Sequence, residues 1–271
     1  MMFEDDPDKA DARAAKTGRG RMVWAGKATG HDSALRVEDG FLRSRGLGAD
    51  LIAPLSLVLD DLGIYYDPNK PSRLEAHIQA SIALPDAALL RAEMLIDRIT
   101  SAGLSKYNLT ATNLHNDLPK GRRILVPGQV EDDASIRLGT TDVTTNRALL
   151  QACRAANPAA VILYKPHPDV EAGLRTGAAP DAADIADIVL TKTSPIAALD
   201  AVDAVWTMTS TIGFEALLRG KYVTCLGSPF YAGWGLTDDR ATPIVRRTAL
   251  PTLAQLTHAV LIDYPPLFRP R

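Results

Sequence analysis

Short apolar runs alternate with amphipathic stretches over residues 122–249, and this alternation constrains the fold more than any other feature of the chain. It is typical of βαβ units, in which parallel strands are joined by helices that cover the sheet. We therefore predict a parallel sheet in this part of the chain. The predicted strands are 124–126, 160–164, 188–190, 202–206 and 222–226, and the predicted helices are 144–156, 195–201 and 212–219.

The preceding residues show a different pattern of apolar and charged residues. Residues 1–21 are charged and lack hydrophobic periodicity, which predicts a flexible, solvated arm. Residues 22–121 predict a smaller first lobe, and residues 122–249 a second lobe. In the first lobe we expect strands at 22–24, 34–37 and 55–59, a hairpin or bent edge reaching 64–66, a helix beginning near 71 and another at 86–100 that ends at Gly103.

Charge and cysteine content exclude several classes of protein. The chain has 30 basic and 32 acidic residues, so it carries no global attraction to nucleic acid or to an anionic membrane. Its two cysteines lie far apart, at 153 and 225, which predicts buried thiols rather than a disulfide or a metal site. No apolar run approaches the roughly 20 residues that span a bilayer, and the charged first 21 residues predict a cytoplasmic protein with at most peripheral membrane contact.

Polar residues follow the predicted strands, and the loops after parallel strands open at one edge of a sheet, where ligands bind. Lys165 and His167, which come directly after a buried run, suit an anionic ligand. The alternative is that His167 is a loop histidine fixed by its neighbouring prolines. The loop at 165–169 is therefore a candidate anion site.

A second candidate anion site is the helix start at Thr209, Ser210 and Thr211. Free backbone N–H groups and the positive end of a helix dipole favour phosphate there. Simple capping by Ser210 or Thr211 is the alternative. Glu215, one turn into the helix, either completes a cap or accepts hydrogen bonds from ribose hydroxyls, and we favour ribose.

Carboxylates occur in both predicted lobes. Glu131, Asp132 and Asp133 follow the first strand of the second lobe, and Glu38 with Asp39 lies in the first lobe. A carboxylate in a cleft can act as nucleophile or general base in glycosyl transfer. Solvated acidic turns are one alternative, and a metal site is a weaker one because no histidine stands at a ligand spacing. Arg43, Arg45 and Lys165 could hold a sugar carboxylate or a phosphate, and the alternative for each is a charge on a solvated loop.

Five motif-like segments occur in a fixed order along the chain: RVEDGFLRS at 36–44, QVEDDAS at 129–135, KPHP at 165–168, TSTIGFE at 209–215 and PFYAGWGLT at 229–237. Together they resemble the KpsC-type capsule polysaccharide β-Kdo transferases, which transfer the keto-acid sugar Kdo. The resemblance spans roughly residues 22–247, most of the chain. The pairing of the acidic segment with the His-Pro segment is also similar to bacterial sialyltransferases.

The resemblance implies a GT-B-like α/β enzyme with two Rossmann-like lobes, whose parallel sheets are flanked by helices and whose first lobe is small or incomplete. By analogy, the helix predicted in residues 250–271 packs back on the first lobe. The implied reaction moves Kdo from CMP-β-Kdo, with retention, onto a Kdo-containing linker anchored on lyso-phosphatidylglycerol at the cytoplasmic face of the inner membrane. Capsule-assembly proteins are implied partners; no metal, other cofactor or nucleic acid is expected.

The resemblance also implies roles for individual residues. Asp133 would attack the anomeric carbon, and Glu38 or Asp39 would be the acid/base or acceptor-activating group. Arg43 and Arg45 would bind substrate. The residues implied to hold the CMP part of the donor are Gln129, Lys165, His167, Thr209, Ser210, Thr211 and Glu215.

Two other functions stay open from the sequence. One is a related GT-B enzyme with a different nucleotide-activated donor, such as a sialyltransferase-like protein. The other is a non-catalytic module that binds nucleotide or glycan. The family usually carries two such modules in tandem and this chain holds one, so activity could depend on a partner chain.

Overall fold

The computed structural model describes residues 4, 6–27, 34–46, 52–108, 114 and 118–265. They form two sheets with helices packed around them. The strands are β1 (Met22–Trp24), β2 (Leu35–Asp39), β3 (Leu57–Asp60), β4 (Arg123–Pro127), β5 (Val161–Lys165), β6 (Ile188–Val189), β7 (Ala204–Thr207), β8 (Tyr222–Cys225) and β9 (Asp238–Asp239).

Helices account for most of the remaining regular structure, and each of the strands β4 to β7 is followed by at least one of them. The helices are α1 (Pro7–Thr17), α2 (Arg73–Ala80), α3 (Asp86–Ser101), α4 (Ala134–Gly139), α5 (Asn146–Ala156), α6 (Pro168–Glu171), α7 (Ala182–Ile185), α8 (Pro195–Asp200), α9 (Thr211–Leu218) and α10 (Leu253–His258).

The second sheet has the strand order β6-β5-β4-β7-β8-β9, and every neighbouring pair is parallel. Counted from β4, this is the doubly wound order 3-2-1-4-5-6, which reverses direction between β4 and β7. The central strands β4, β5 and β7 are buried almost throughout, as expected for strands covered by helices on both faces. The predicted parallel sheet is confirmed, with strand ends shifted by one or two residues.

The first sheet is small and mixed. Strand β1 pairs parallel with β2, whereas β2 pairs antiparallel with β3. Antiparallel neighbours need no helical crossover, so this lobe holds fewer helices than the second. A parallel sheet is therefore formed only in the second lobe of the described chain. The strand expected at 64–66 is not formed, because Asp60 accepts hydrogen bonds from the backbone of Leu62 and Gly63 and closes a turn.

The arm expected at residues 1–21 contains helix α1. Asp6 caps its start by accepting from the backbone of Asp8 and Lys9, and Gly18, with φ of 63°, ends it. Its side chains are mostly exposed. The helix is thus defined by end-capping residues and not by an apolar face, which is why periodicity does not reveal it.

The final helical segment returns to the first lobe. Helix α10 and the π-helical turn that follows it, Ala259–Asp263, contact α3 and α2. Tyr264 donates to the buried Asp60 carboxylate at 2.8 Å. Residues 266–271, the rest of the segment expected to pack there, lie outside the described residues.

An aromatic cluster joins the two lobes. Phe41 of the first lobe lies 4.6 Å from Phe230 and 4.8 Å from Tyr65 between ring centroids, and Phe230 lies 5.4 Å from Phe214. All four rings are buried in one continuous core. The lobes therefore share a hydrophobic base, above which a cleft opens.

Candidate active site

A cleft of about 420 Å³ lies between the lobes, at the carboxyl ends of β4, β5 and β7. This is the point where the strand order reverses, which is where doubly wound sheets bind ligands. Ten of the twelve predicted site residues line it. They are Glu38, Asp39, Gln129, Asp133, Lys165, His167, Thr209, Ser210, Thr211 and Glu215.

Arg43 and Arg45, predicted to bind substrate, do not line the described cleft, so this prediction needs correction. Arg43 is buried, and its guanidinium donates to Asp39 Oδ2 at 2.5 Å, to Ser44 Oγ at 2.9 Å and to the Ile52 carbonyl at 2.9 Å. Arg45 is exposed on the surface. Arg43 therefore orients Asp39 instead of meeting a ligand.

Asp133 is held by one carboxylate oxygen, and no described residue is hydrogen-bonded to the other. It caps helix α4, with Oδ1 accepting from the backbone N–H of Ser135 at 2.9 Å and from its hydroxyl at 2.7 Å. Fixing Oδ1 in this way sets the orientation of the whole carboxylate. The second oxygen, Oδ2, can then act on a ligand in the cleft.

A chain of hydrogen bonds holds the Ser135 hydroxyl that orients the Asp133 carboxylate. Gln129 donates from Nε2 to Thr209 Oγ1 at 2.9 Å, and Thr209 donates to Ser135 Oγ at 3.3 Å, which in turn donates to Asp133. Gln129 Oε1 accepts from the backbone N–H of Thr209 at 3.0 Å. The amide of Gln129, expected to hold CMP, thus bonds within the protein through Oε1 and one Nε2–H, and it positions the loop that carries Asp133.

Lys165 and His167 occupy the loop after β5. Lys165 is buried, and the only polar contact of its ammonium among the described residues is the Pro166 carbonyl, 3.4 Å from Nζ. Burial lowers the pKa of this ammonium, with the Glu171 charge opposing the shift. A buried cation with no carboxylate bonded to it favours an incoming anion.

His167 is neutral at physiological pH. Burial lowers its pKa to about 4, although the nearby Asp169 carboxylate opposes this. Its Nδ1 accepts from the Asp169 backbone N–H at 3.2 Å, so the single ring proton belongs on Nε2. His167 can therefore donate one hydrogen bond to a ligand oxygen from Nε2.

The start of α9 is fixed by the segment at 229–237. Ser210 caps the helix by accepting from the Ile212 backbone N–H at 3.2 Å, and the Tyr231 hydroxyl donates to the Ser210 carbonyl at 2.6 Å. A side chain at Gly213 would collide with the Tyr231 ring. Capping and anion binding are therefore compatible, because the capped helix start lines the cleft.

The two first-lobe carboxylates differ in their surroundings. Asp39 is paired with Arg43, whereas Glu38 accepts only the Asp39 backbone N–H, at 3.0 Å, among the described residues. Burial raises the pKa of Glu38, and the charges of Asp39 and Asp133 raise it further against the opposing charge of Lys106. A carboxyl group with a raised pKa is better suited to exchange a proton near neutral pH.

Glu215 lies buried at the end of the cleft. Its Oε1 accepts the Lys106 backbone N–H at 2.8 Å, while Oε2 is buried without a partner among the described residues. Burial raises the pKa of this carboxyl to about 7, against the opposing effects of that hydrogen bond and of the Arg219 and Lys106 charges. A carboxyl protonated near neutrality can donate from Oε2 to a ligand hydroxyl.

This burial predicts a pH-dependent stability. Because the folded-state pKa is raised above the ordinary 4.5, the folded form favours the protonated acid, and Glu215 destabilises the fold as pH rises toward and above 7. Relative to wild type, Glu215→Gln is expected to gain up to about 3 kcal/mol of unfolding free energy between pH 5 and pH 8. Urea titrations of both proteins at both pH values measure this change. The same difference in unfolding free energy between variant and wild type at pH 5 and pH 8 would contradict it.

Lys106 is a site residue that the sequence does not reveal. It lines the cleft from the loop after α3, in a stretch without a recognisable motif. Burial alone would lower its pKa, but Tyr107, Tyr65 and the carboxylates of Asp39 and Glu38 raise it above the ordinary value. Lys106 therefore keeps its positive charge. Only the three-dimensional contact of its loop with α9 brings it to the site.

Membrane-spanning helices and metal clusters are both absent from the described residues. No helix there combines the length and apolar character needed to cross a bilayer. Histidine, cysteine, aspartate and glutamate side chains nowhere in that part of the chain form the group of three or more that could hold a metal ion.

Residues 28–265 match the family model described as capsule polysaccharide biosynthesis protein. The chain belongs to this family. One relative, the capsule polysaccharide modification protein LipA of Neisseria meningitidis serogroup A, is 46% identical to this chain over 264 residues. Another, the lipopolysaccharide-processing protein LpsZ of Rhizobium meliloti, is 48% identical to it over 235 residues. These matches cover 96% and 85% of the chain but 37% of LipA and 53% of LpsZ, so the chain spans only part of each relative.

Solved structures of a related protein share the fold of this capsule family chain. The β-Kdo 2,4 transferase of Thermosulfurimonas dismutans KpsC superposes with a TM-score of 0.78 at 33% identity, covering 97% of this chain and 78% of that one. The β-Kdo 2,7 transferase of the same KpsC superposes with a TM-score of 0.77 at 35% identity, covering 97% of this chain and 83% of that one. The GT-B-like architecture and the resemblance to KpsC-type proteins are confirmed.

Proposed function

We propose that this chain is a glycosyltransferase that moves Kdo from CMP-β-Kdo, with retention, onto a Kdo-containing glycolipid acceptor during capsule biosynthesis. The observation that carries the proposal is the meeting of opposed groups in one cleft: a fixed carboxylate with an available oxygen, an anion site beside it and a proton-exchanging carboxyl opposite. The similarity to two Kdo transferases supports this choice of sugar.

In the proposed first step, Asp133 Oδ2 attacks the anomeric carbon of the donor. The bond from that carbon to the phosphate oxygen breaks, CMP leaves with the electron pair, and the sugar becomes esterified to Asp133. Ser135 holds the other oxygen, so the attacking atom is presented in one orientation. The departing phosphate is stabilised by Lys165, by the Nε2–H of His167 and by the start of α9.

In the proposed second step, an acceptor hydroxyl attacks the same carbon and releases Asp133. Glu38 takes the hydroxyl proton, a role for which its raised pKa suits it better than the Arg43-paired Asp39. Two displacements at one carbon restore the donor's configuration. The acceptor is proposed to be an oligo-Kdo linker on lyso-phosphatidylglycerol at the cytoplasmic membrane face, which requires peripheral membrane contact and fits capsule-assembly partners.

The donor pocket can be tested through His167. We expect His167→Ala to weaken CMP binding by roughly ten- to a hundredfold, since a hydrogen bond to a charged phosphate is lost. Cytidine, which lacks the phosphate, should bind the variant and wild type alike. Calorimetric titration of both ligands gives the comparison, and equal losses for CMP and cytidine would show that His167 acts on the fold of the pocket instead.

The choice of nucleotide is a separate test. Wild-type protein is expected to gain thermal stability with CMP and little with UDP, measured as shifts of Tm at equal concentrations. A preference for UDP would point to a different nucleotide-activated donor and would overturn the CMP-Kdo assignment.

A further inference from the structure

We propose that Lys106 binds the carboxylate of the donor sugar, and so selects keto-acid sugars over neutral ones. This inference rests on the proposed Kdo-transfer function and adds to it a specificity-determining residue. Lys106 stands in the first lobe, on a loop that no recognisable motif covers.

The loop that presents Lys106 is built to hold one shape. Ser105 and Asn108 bond each other reciprocally, from the Ser105 backbone N–H to Asn108 Oδ1 at 3.0 Å and from the Asn108 backbone N–H to Ser105 Oγ at 3.1 Å. Asn108 has a positive φ of 47° and also donates to the Ser44 carbonyl at 3.0 Å. The Lys106 backbone is bound on both sides, by Glu215 Oε1 and by the N–H groups of Arg43 and Ser44.

This bonding holds the backbone and leaves the ammonium available. The Lys106 Nζ lies 5.4 Å from the centroid of the Tyr107 ring, and no hydrogen bond or ion pair within the described part of the chain engages it. The side chain lines the cleft together with Glu38, Asp39 and Asp133. A fixed loop thus delivers a cation that forms no ion pair among the described residues to a cleft that it shares with three carboxylates.

The partners of the other cations leave Lys106 for the sugar carboxylate, although its charge also reaches His167 in the candidate phosphate site. Three lysine or arginine side chains line the described cleft: Lys106, Lys165 and Arg175. Arg175 is paired with Asp132 at 2.9 Å, and Lys165 stands beside His167 at the end of β5, in the candidate phosphate site. Lys106 is the remaining cation, and it lines the cleft on the side of the first lobe, as Glu38 does.

A keto-acid sugar carries its carboxylate on the anomeric carbon, the atom that Asp133 attacks in the proposed reaction. Without a cation this carboxylate would face the negative charges of Asp133 and Asp39, and like charges in one cleft disfavour binding. Lys106 removes that repulsion. A neutral sugar gains nothing from Lys106 at this position.

The test compares two ligands on matched variants. The probes are CMP and a 3-fluoro analogue of CMP-Kdo, whose electron-withdrawing fluorine slows transfer so that binding can be measured by calorimetry. We expect Lys106→Met to bind CMP within about twofold of wild type and to bind the fluoro analogue at least about tenfold more weakly. Lys106→Arg, which keeps the charge, should recover much of the loss. Arg91→Met, at an exposed position on α3, is the control for net charge.

A third ligand isolates the carboxylate. With the carboxamide form of the fluoro analogue, wild type and Lys106→Met should bind equally. Equal weakening of CMP and of the fluoro analogue would overturn the assignment in favour of a phosphate contact, and no weakening of either would overturn it outright. If wild type binds neither CMP nor the analogue, the proposed function itself fails, which is a different result from losing only the role of Lys106.

Discussion

Asp133→Asn is expected to reduce Kdo transfer by roughly a thousandfold or more, because an amide cannot replace the attacking carboxylate. The fold of the site should survive. Asparagine is as good an N-cap as aspartate, and its Oδ1 can still accept from the Ser135 backbone and hydroxyl, as Asp133 does. CMP should therefore bind with unchanged affinity, and transfer assays beside CMP titrations separate the two effects.

A neighbouring carboxylate provides the matched control for Asp133. Asp132 is exposed, lies outside the cleft lining and pairs with Arg175, so Asp132→Asn makes the same change of charge one residue away. It should leave most of the transfer rate intact, since exposed ion pairs contribute little. In wild type without acceptor, intact-mass spectrometry should detect the mass of one attached sugar, and Asp133→Asn should lack it. Normal transfer by Asp133→Asn would contradict its role as nucleophile.

Glu75→Ala is expected to destabilise the fold strongly, by about 3 to 5 kcal/mol. Glu75 of α2 accepts from Arg247 Nε at 2.8 Å and from Arg246 Nε at 2.7 Å, and the buried Arg247 also donates to the carbonyls of Pro229 and Ala232 at 2.7 Å each. Removing the carboxylate leaves the Arg247 cation buried without its counter-charge. The contact joins the first lobe to the segment that supports α9, so the whole transition in urea should shift.

An exposed pair of similar geometry is the control for that experiment. Asp61 accepts two bonds from Arg73, at 2.8 and 2.6 Å, and both side chains are substantially solvent-exposed. Asp61→Ala should cost about 1 kcal/mol or less. The double variant Glu75→Met with Arg247→Met should recover part of the loss, because neither partner then remains buried and charged. A cost below about 1 kcal/mol for Glu75→Ala would contradict the proposed importance of this ion pair.

The second lobe was largely predictable because its signals are local. Apolar runs such as that ending at Lys165 specify buried parallel strands, and parallel strands bring the loops that follow them to one edge. That geometry alone puts His167, Ser210 and Asp133 in one cleft. No knowledge of distant contacts is needed for this step.

Sequence patterns are less informative where a residue's role depends on partners far along the chain or on side-chain bonding. Arg43 carries the same charge as a substrate-binding arginine, but Asp39 and the Ile52 carbonyl occupy it. Gln129 stands in a recognisable motif, yet its amide bonds Thr209 on both its oxygen and its nitrogen. Lys106 reaches the cleft through a backbone bond to Glu215, 109 positions away, which no local pattern encodes.

The segment at 229–237 is a motif whose role its sequence alone does not define. Its aromatic residues mark the family resemblance, but their contacts are mainly structural. Trp234 is fully buried and donates to the Phe230 carbonyl at 2.9 Å, and Tyr231 fixes the Ser210 carbonyl. The segment acts on the site by holding the start of α9 in place, which is a packing role that a sequence pattern cannot distinguish from ligand contact.

A transfer assay tests the proposed activity most directly. Wild-type protein is incubated with CMP-β-Kdo and a synthetic Kdo-terminated acceptor, and the products are examined by mass spectrometry and NMR. We expect an acceptor extended by one Kdo in the β configuration, with repeated turnover of CMP-β-Kdo only when the acceptor is present. A folded protein that binds CMP but leaves both substrates unchanged, or that yields an inverted linkage, would contradict the proposed retaining Kdo transfer.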